Sequence, residues 1–312
     1  MNLNFNVDCV NLSDVIIVGA GPASLTAAIY LRRASLNVVI IEKEIPGGKM
    51  VKTNLIENYS GFKSISGPNL SLEMFNQATG LGVKCIFSEV IDIKQSGKNF
   101  IVVTKDKNYS AKTVIVATGM VEKKLGIPGE DEFYGKGVSY CATCDGPLYK
   151  GKDVAVIGGG NSALDESLYL SDIVNKVHLI HRRLAYRGDE VSVEKIRQKK
   201  NISEHLPFLP VSIIGDSSVN SVKIKNVDTG EEVVLSVACV FPFVGFKPCV
   251  DFLKNLGFKD EPIVVNENFM TKINGLFAAG DVLEKKNRQI ATAIGDGSNV
   301  AIFVKEYLTF NY

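Results

Sequence analysis

Two cysteines three positions apart, Cys141 and Cys144, enclose Ala142 and Thr143 and are followed at once by Asp145. A CxxC beside a βαβ pattern reads as a redox pair that cycles between two thiols and one disulfide. Asp145 could protonate a leaving thiolate or deprotonate a thiol if burial raises its pKa; the alternative is an ordinary turn aspartate ahead of Gly146-Pro147. Zinc is the main rival for the pair, but a structural site needs four ligands. There is no second CxxC, and His178, His181 and His205 are too few and lie in strand-like stretches. The remaining cysteines, at 9, 85, 239 and 249, are scattered and read as small buried hydrophobes.

A redox pair needs an electron source, and the chain repeats a unit that could hold one. The segment DVIIVGAGPAS from Asp14 recurs, with substitutions, as DVAVIGGGNSA from Asp153. Each copy runs from an apolar strand into a Gly-x-Gly turn, a helical stretch and a second strand, which makes two βαβ units. In such a turn the first glycine permits the bend and the second lets the backbone approach a pyrophosphate held at the positive end of the helix. Gly19, Gly21, Pro22 and Ala23 are the candidates in the first copy, and Gly158, Gly160, Asn161, Ser162 and Ala163 in the second. The third fingerprint position, where helix and strand must pack closely, is Ala163 in the second copy and Ser24, a mild departure, in the first.

The end of the second strand separates the two copies. Glu42 and His181 each stand 21 residues after the second glycine of their turn. A carboxylate such as Glu42 accepts hydrogen bonds from an adenosine ribose, which suits FAD or NAD. In the second copy His181, Arg182, Arg183 and Arg187 gather at that point, and a basic cluster there suits a 2′-phosphate, hence NADPH.

The elements that must position these residues fit an α/β chain of about two domains: 312 residues, 46% of them hydrophobic and 22% charged. Lys and Arg total 35 against 34 Asp and Glu, a balance that offers no broad basic face for nucleic acid. The longest uncharged run, Val15 to Leu31, is broken by Gly19, Gly21 and Pro22 and falls short of the roughly 20 apolar residues a membrane span needs. No secretory signal pattern opens the chain, so a cytoplasmic location without a structural disulfide framework is expected.

Taken together, the motifs resemble the low-molecular-weight, flavin-dependent thioredoxin reductases, from about residue 14 to the C-terminus. GAGPAS at 19–24, GGK at 47–49, ENYSGF at 57–62, CATCDG at 141–146, GGGNSA at 158–163, HRRLAYR at 181–187, FAAGDV at 277–282 and RQIATAIGDG at 288–297 stand in that family's order. The resemblance implies two Rossmann-like domains, with an NADPH domain (124–245) that carries the CxxC inserted into a discontinuous FAD domain (1–123 and 246–312). It further implies that Cys141 attacks thioredoxin or a thioredoxin-like protein, that Cys144 is the sulfur next to the flavin, and that Asp145 is the acid/base. Gly48, Asn58, Gly119, Asp281, Arg288, Gln289 and Ala293 are implied FAD neighbours, with Asp281 at the ribityl chain, and a homodimer is implied as well. Since nicotinamide and CxxC both belong to the inserted domain and both must reach one flavin, that domain is expected to rotate between half-reactions.

The chain departs from the pattern at Lys49, where the family usually has an uncharged amide, at Leu184-Ala185, where the common acid is lacking, and at FKPC, 246–249. Rival enzymes fit less well. A ferredoxin–NADP reductase of this type ordinarily lacks the CxxC, a ferredoxin-fed thioredoxin reductase needs no NADPH site, and an alkyl-hydroperoxide reductase flavoprotein needs a further N-terminal disulfide domain. A redox sensor without turnover is the alternative from another class.

Overall fold

The computed structural model describes residues 9–53 and 56–312. It resolves into two compact units: one runs up to Val121 and resumes at Lys247–Tyr312, and the other is Glu122–Phe246.

In the first unit a sheet has the order Lys84–Phe87, Val38–Glu42, Cys9–Val18, Asn108–Val116, Asn99–Thr104, Val90–Ser96, and Leu276–Ala278 pairs with the distal half of Asn108–Val116. Cys9–Val18 lies parallel to both neighbours, with Ile17 opposite Ile40 and Ile115. Central parallel strands are covered on both faces, so they read as continuous apolar runs rather than alternating ones. Accordingly Val15 and Ile17 enter one core and Ile16 and Val18 the other, all essentially without solvent contact.

The first core is closed by two helices, Pro22–Arg33 and Ile290–Asn311. Pro22 at the first helical turn lacks only an N–H that has no intrahelical partner there. The long helix turns Ala293, Val300, Ala301, Val304 and Leu308 inward. Its Gly297 is required by proximity, because a Cβ there would lie 2.3 Å from the Ala23 carbonyl oxygen. Ser24, the odd residue at the third fingerprint position, is fully buried and its hydroxyl donates to the Ala117 carbonyl at 3.4 Å. A small side chain is what this packing needs, and serine meets that need while retaining a partner for its oxygen.

The second unit repeats the plan with fewer strands: Ile202–His205, Lys176–Ile180, Asp153–Ile157 and Cys239–Pro242 form a parallel sheet in that order. Helix Asn161–Ser171 covers one face through Ala163, Leu164 and Leu170. An antiparallel sheet of Phe208–Gly215, Val219–Asn226 and Glu232–Ser236 adds a further core around Val222 and Ile224. Among the described residues no helix is long and apolar enough to cross a membrane.

Candidate active site

The two glycine turns are built by the same hydrogen bonds. Gly19 N–H donates to the Ile41 carbonyl at 2.8 Å and Gly158 N–H to the Ile180 carbonyl at 3.0 Å. The strand beyond each turn closes it from the other side, Ala117 N–H donating to Val18 (2.9 Å) and Phe243 N–H to Ile157 (2.7 Å). Gly19 (φ +100°) and Gly158 (φ +154°) adopt backbone that side chains avoid, and a Cβ would fall 2.6 Å from the Ala117 oxygen and 2.5 Å from the Phe243 oxygen. The second glycines differ in kind. Nothing lies within 4 Å of a Cβ at Gly21 or Gly160, so each faces an open cradle at the start of its helix, where the unpaired N–H groups and the helix dipole attract a phosphate.

Glu42 ends its strand beside the first cradle. One carboxylate oxygen accepts the Ala20 N–H at 2.6 Å and the other the Glu44 N–H at 2.8 Å, so the carboxylate is held with lone pairs to spare for a ribose. The opposite side is formed by the turn Gly280–Val282, brought close because Gly280 has no Cβ to meet that of Ala23. Asp281 follows, with Oδ1 buried and without a hydrogen-bond partner. Burial pushes its carboxyl pKa up, while Lys49, Lys285 and Arg288 pull it back. An orphaned buried acceptor is costly, and a ribityl hydroxyl is the kind of donor that would satisfy it.

Around that turn the structure gathers most of the other expected FAD neighbours. Arg288 donates to the Asp281 and Leu283 carbonyls at 3.1 and 3.0 Å. Gln289 caps the long helix, its N–H donating to Thr292 Oγ1 at 3.1 Å, and it accepts from Asn58 Nδ2 at 3.4 Å. Ala293 is buried one turn further on. Gly48 is set against Gly21, and Gly119 (φ +69°) passes on to Cys249, whose N–H donates to the Gly119 carbonyl. These residues thus frame one side of a cradle, and their buried orphan fits a flavin dinucleotide.

In the second unit Arg182, Arg183 and Arg187 are exposed at the strand end, beside the open turn at Gly160. His181 behaves differently from the arginines. Its ring is buried and stacked on Tyr186, filling the space that a Cβ on Gly159 would need. Burial and the neighbouring arginines hold its pKa below that of ordinary histidine, which disfavours a positive charge on the ring. The reason is steric: the loop bends back to let Arg187 and Gly188 donate their N–H groups to the Gly159 carbonyl, and His181 is the floor of that bend. Asn161 joins in by accepting the Asp189 N–H at 2.7 Å, while Ser162 is exposed at the first helical turn and Ala163 is buried.

Cys141 and Cys144 form a disulfide across the first turn of the short helix Ala142–Asp145. Ser139 orients the entry, accepting the Cys141 N–H at 3.1 Å. Ala142 is wholly buried and Gly146 lies under Leu170, so the disulfide is fixed to the same helix, Asn161–Ser171, that starts at the second glycine turn. Burial raises the Asp145 pKa and a hydrogen bond with Ser139 partly offsets this. Sequence reasoning missed Ser139, and Asp296, which accepts the Gly280 N–H and the Lys285 ammonium at 3.0 and 2.6 Å. It also missed Glu166, whose buried oxygen has no partner and whose pKa is pushed up to about 7. Only the position of Asp296 inside RQIATAIGDG signalled it. Of the scattered cysteines, Cys239 is buried as expected, Cys85 and Cys249 are half-buried, and the Cys9 side chain lies outside the described residues.

Comparison with known proteins places this geometry among relatives. Residues 13–297 match the family model described as pyridine nucleotide-disulphide oxidoreductase. The chain is 46% identical to the thioredoxin reductase of Mycoplasma pneumoniae, with 95% of each covered. It is 42% identical to that of Bacillus subtilis, over 95% of this chain and 94% of the relative. Among solved structures it is similar to thioredoxin reductase from Streptococcus pyogenes (TM-score 0.89, 39% identity, 96% and 99% of the two chains). The Lactococcus lactis thioredoxin reductase in its "FR conformation" matches with a TM-score of 0.68 and 38% identity over 96% and 99%.

Proposed function

The chain belongs to the pyridine nucleotide-disulphide oxidoreductase family, and on that premise we propose that it is an NADPH-dependent thioredoxin reductase. The observation that carries this reading is the Cys141–Cys144 disulfide mounted on the helix of a glycine turn that faces three arginines. When bound, FAD accepts a hydride from NADPH and delivers two electrons to a disulfide.

The chain's residues do the rest. In the FAD unit, up to Val121 and from Lys247, the Gly19–Ala23 turn and Glu42 hold the adenosine diphosphate half, and Asp281 fixes the ribityl chain. In the NADPH unit, Glu122–Phe246, Gly158–Ala163 hold the pyrophosphate, and Arg182, Arg183 and Arg187 take the 2′-phosphate. His181 supports the arginine loop from below. Reduction breaks the Cys141–Cys144 bond and leaves two thiols. The Cys141 thiolate then attacks one sulfur of oxidised thioredoxin, forming a mixed disulfide and releasing a thioredoxin thiolate. Cys144 attacks Cys141 in turn, which restores the internal disulfide and frees the second thioredoxin thiol. Asp145 supplies the proton a departing thiolate needs, a role its raised pKa supports.

Because disulfide and nicotinamide ride on one unit and serve one flavin, the unit rotates between half-reactions. Homodimerisation and cytoplasmic residence belong to the same reading and rest on the family likeness. The test is NADPH consumption by the FAD-loaded protein with and without oxidised thioredoxin. Turnover that depends on thioredoxin and vanishes in Cys144→Ser is expected; flavin reduction by NADPH with no transfer to thioredoxin would refute the reading.

A further inference from the structure

The first glycine turn offers backbone dipoles to a pyrophosphate but no full positive charge of its own. Helix Pro22–Arg33 carries its two arginines, Arg32 and Arg33, in the last turn, far from the phosphate end. The second glycine turn, by contrast, has three arginines beside it.

The loop that follows the strand Val38–Glu42 leads to Lys49. It is clamped onto the first turn: Gly47 donates its N–H to the Ala20 carbonyl at 2.7 Å, and Gly48 approaches Gly21 so closely that a Cβ would sit 3.4 Å from the Gly21 Cα. Ser71 fixes the loop from behind, donating to the Pro46 carbonyl at 2.5 Å and occupying the space a Cβ on Gly47 would need. Lys49 is therefore exposed at the rim of the cradle on a loop with little freedom. Its charge is felt across the cradle, where it favours ionised Asp281.

We propose that the Lys49 ammonium binds the diphosphate of the flavin cofactor, supplying the counter-charge that the glycine turn lacks. An ammonium suits this place, since it acts as a compact point charge with three donors and needs no planar fork. The inference rests on FAD occupying the first cradle. It makes this cofactor's retention depend on salt, because an attraction at a solvent-exposed rim is screened by ions.

The experiment is the release of FAD from the full-length holoenzyme on dilution, followed by the rise in flavin fluorescence across a range of salt concentrations, for wild type, Lys49→Gln and Lys49→Arg. In low salt Lys49→Gln is expected to weaken FAD retention about three- to tenfold, the range of a charge-assisted contact at a partly exposed site. The deficit should close towards 1 M salt, and Lys49→Arg should restore most of it. Equal retention in low salt overturns the proposal, and so does a loss that salt and arginine leave untouched, which would be a packing effect. An altered flavin midpoint potential with unchanged retention overturns it too, by placing the ammonium at the ring. A wild-type protein that takes up no FAD would instead remove the flavin reading beneath the proposal.

Discussion

Replacing Gly158 by alanine should disable the nicotinamide site while sparing the flavin. The new Cβ meets two obstacles, the Phe243 carbonyl oxygen at 2.5 Å and the Ala163 Cβ at 2.8 Å, in a backbone conformation with φ of +154°. The backbone strain costs about 1–3 kcal/mol and the overpacking about as much again. Relief of both requires the turn to move away from Phe243, whose own N–H is tied to Ile157, and cofactor binding must reverse that movement. If about 2–4 kcal/mol of the strain is charged to binding, NADPH affinity falls roughly 30- to 700-fold, at about 1.4 kcal/mol per tenfold. Anaerobic stopped-flow measurement of flavin reduction against NADPH concentration reads this directly, with flavin absorbance per protein as the control. Gly19→Ala meets the Ala117 oxygen at 2.6 Å and should show the converse, loss of flavin from the purified protein. A Gly158→Ala protein whose NADPH dependence stays within twofold of wild type, or that loses flavin instead, would refute the assignment of the two cradles.

Three further outcomes follow from the same geometry. Arg182→Ala combined with Arg183→Ala should cut the kcat/KM preference for NADPH over NADH about tenfold or more; an unchanged ratio would show that the arginines do not read the 2′-phosphate. Burial raises the Asp145 pKa above its ordinary 3.8, so the folded state holds this proton to higher pH than the unfolded chain and loses stability as pH rises through that interval. In Asp145→Asn the fall in Tm from pH 3 to higher pH should therefore shrink, and thioredoxin turnover should slow because the proton donor is gone. His205 sits 3.0 Å from His178, and burial with its neighbours' charges lowers its pKa from 6.5 to about 4. The unfolded chain takes up the proton first, so stability present above pH 6.5 is lost as pH falls towards 4, and a plot of Tm against pH should lose part of that slope in His205→Gln.

Both cradles were legible in the sequence because each depends on local order: strand, two glycines, helix, and a partner 21 residues on. The CxxC was legible for the same reason. What the sequence hid was the direction in which side chains point. His181 stands in a row with three arginines along the chain, but the backbone fold beneath Gly159 turns it inward. Ser139 and Glu166 gave no sign of their roles, since a serine before a cysteine and a glutamate within a helix are ordinary neighbours. Only burial gives Glu166 its raised pKa, and burial is set by packing between elements distant in sequence. Asp281 lay between these cases: its type and place were readable, whereas the unpartnered oxygen was not.

The three free cysteines with described side chains make the protein its own electron counter. Cys239 is sealed in the core and its pKa is raised by burial, and the Cys85 thiol is pushed up to about 11, so neither offers much thiolate to an alkylating reagent near neutral pH. Whatever these background thiols contribute is the same before and after NADPH is added. The gain in alkylated mass on reduction is then two groups per chain, those of Cys141 and Cys144, and a mass spectrum of quenched samples reports how far each chain has been charged at any instant of turnover.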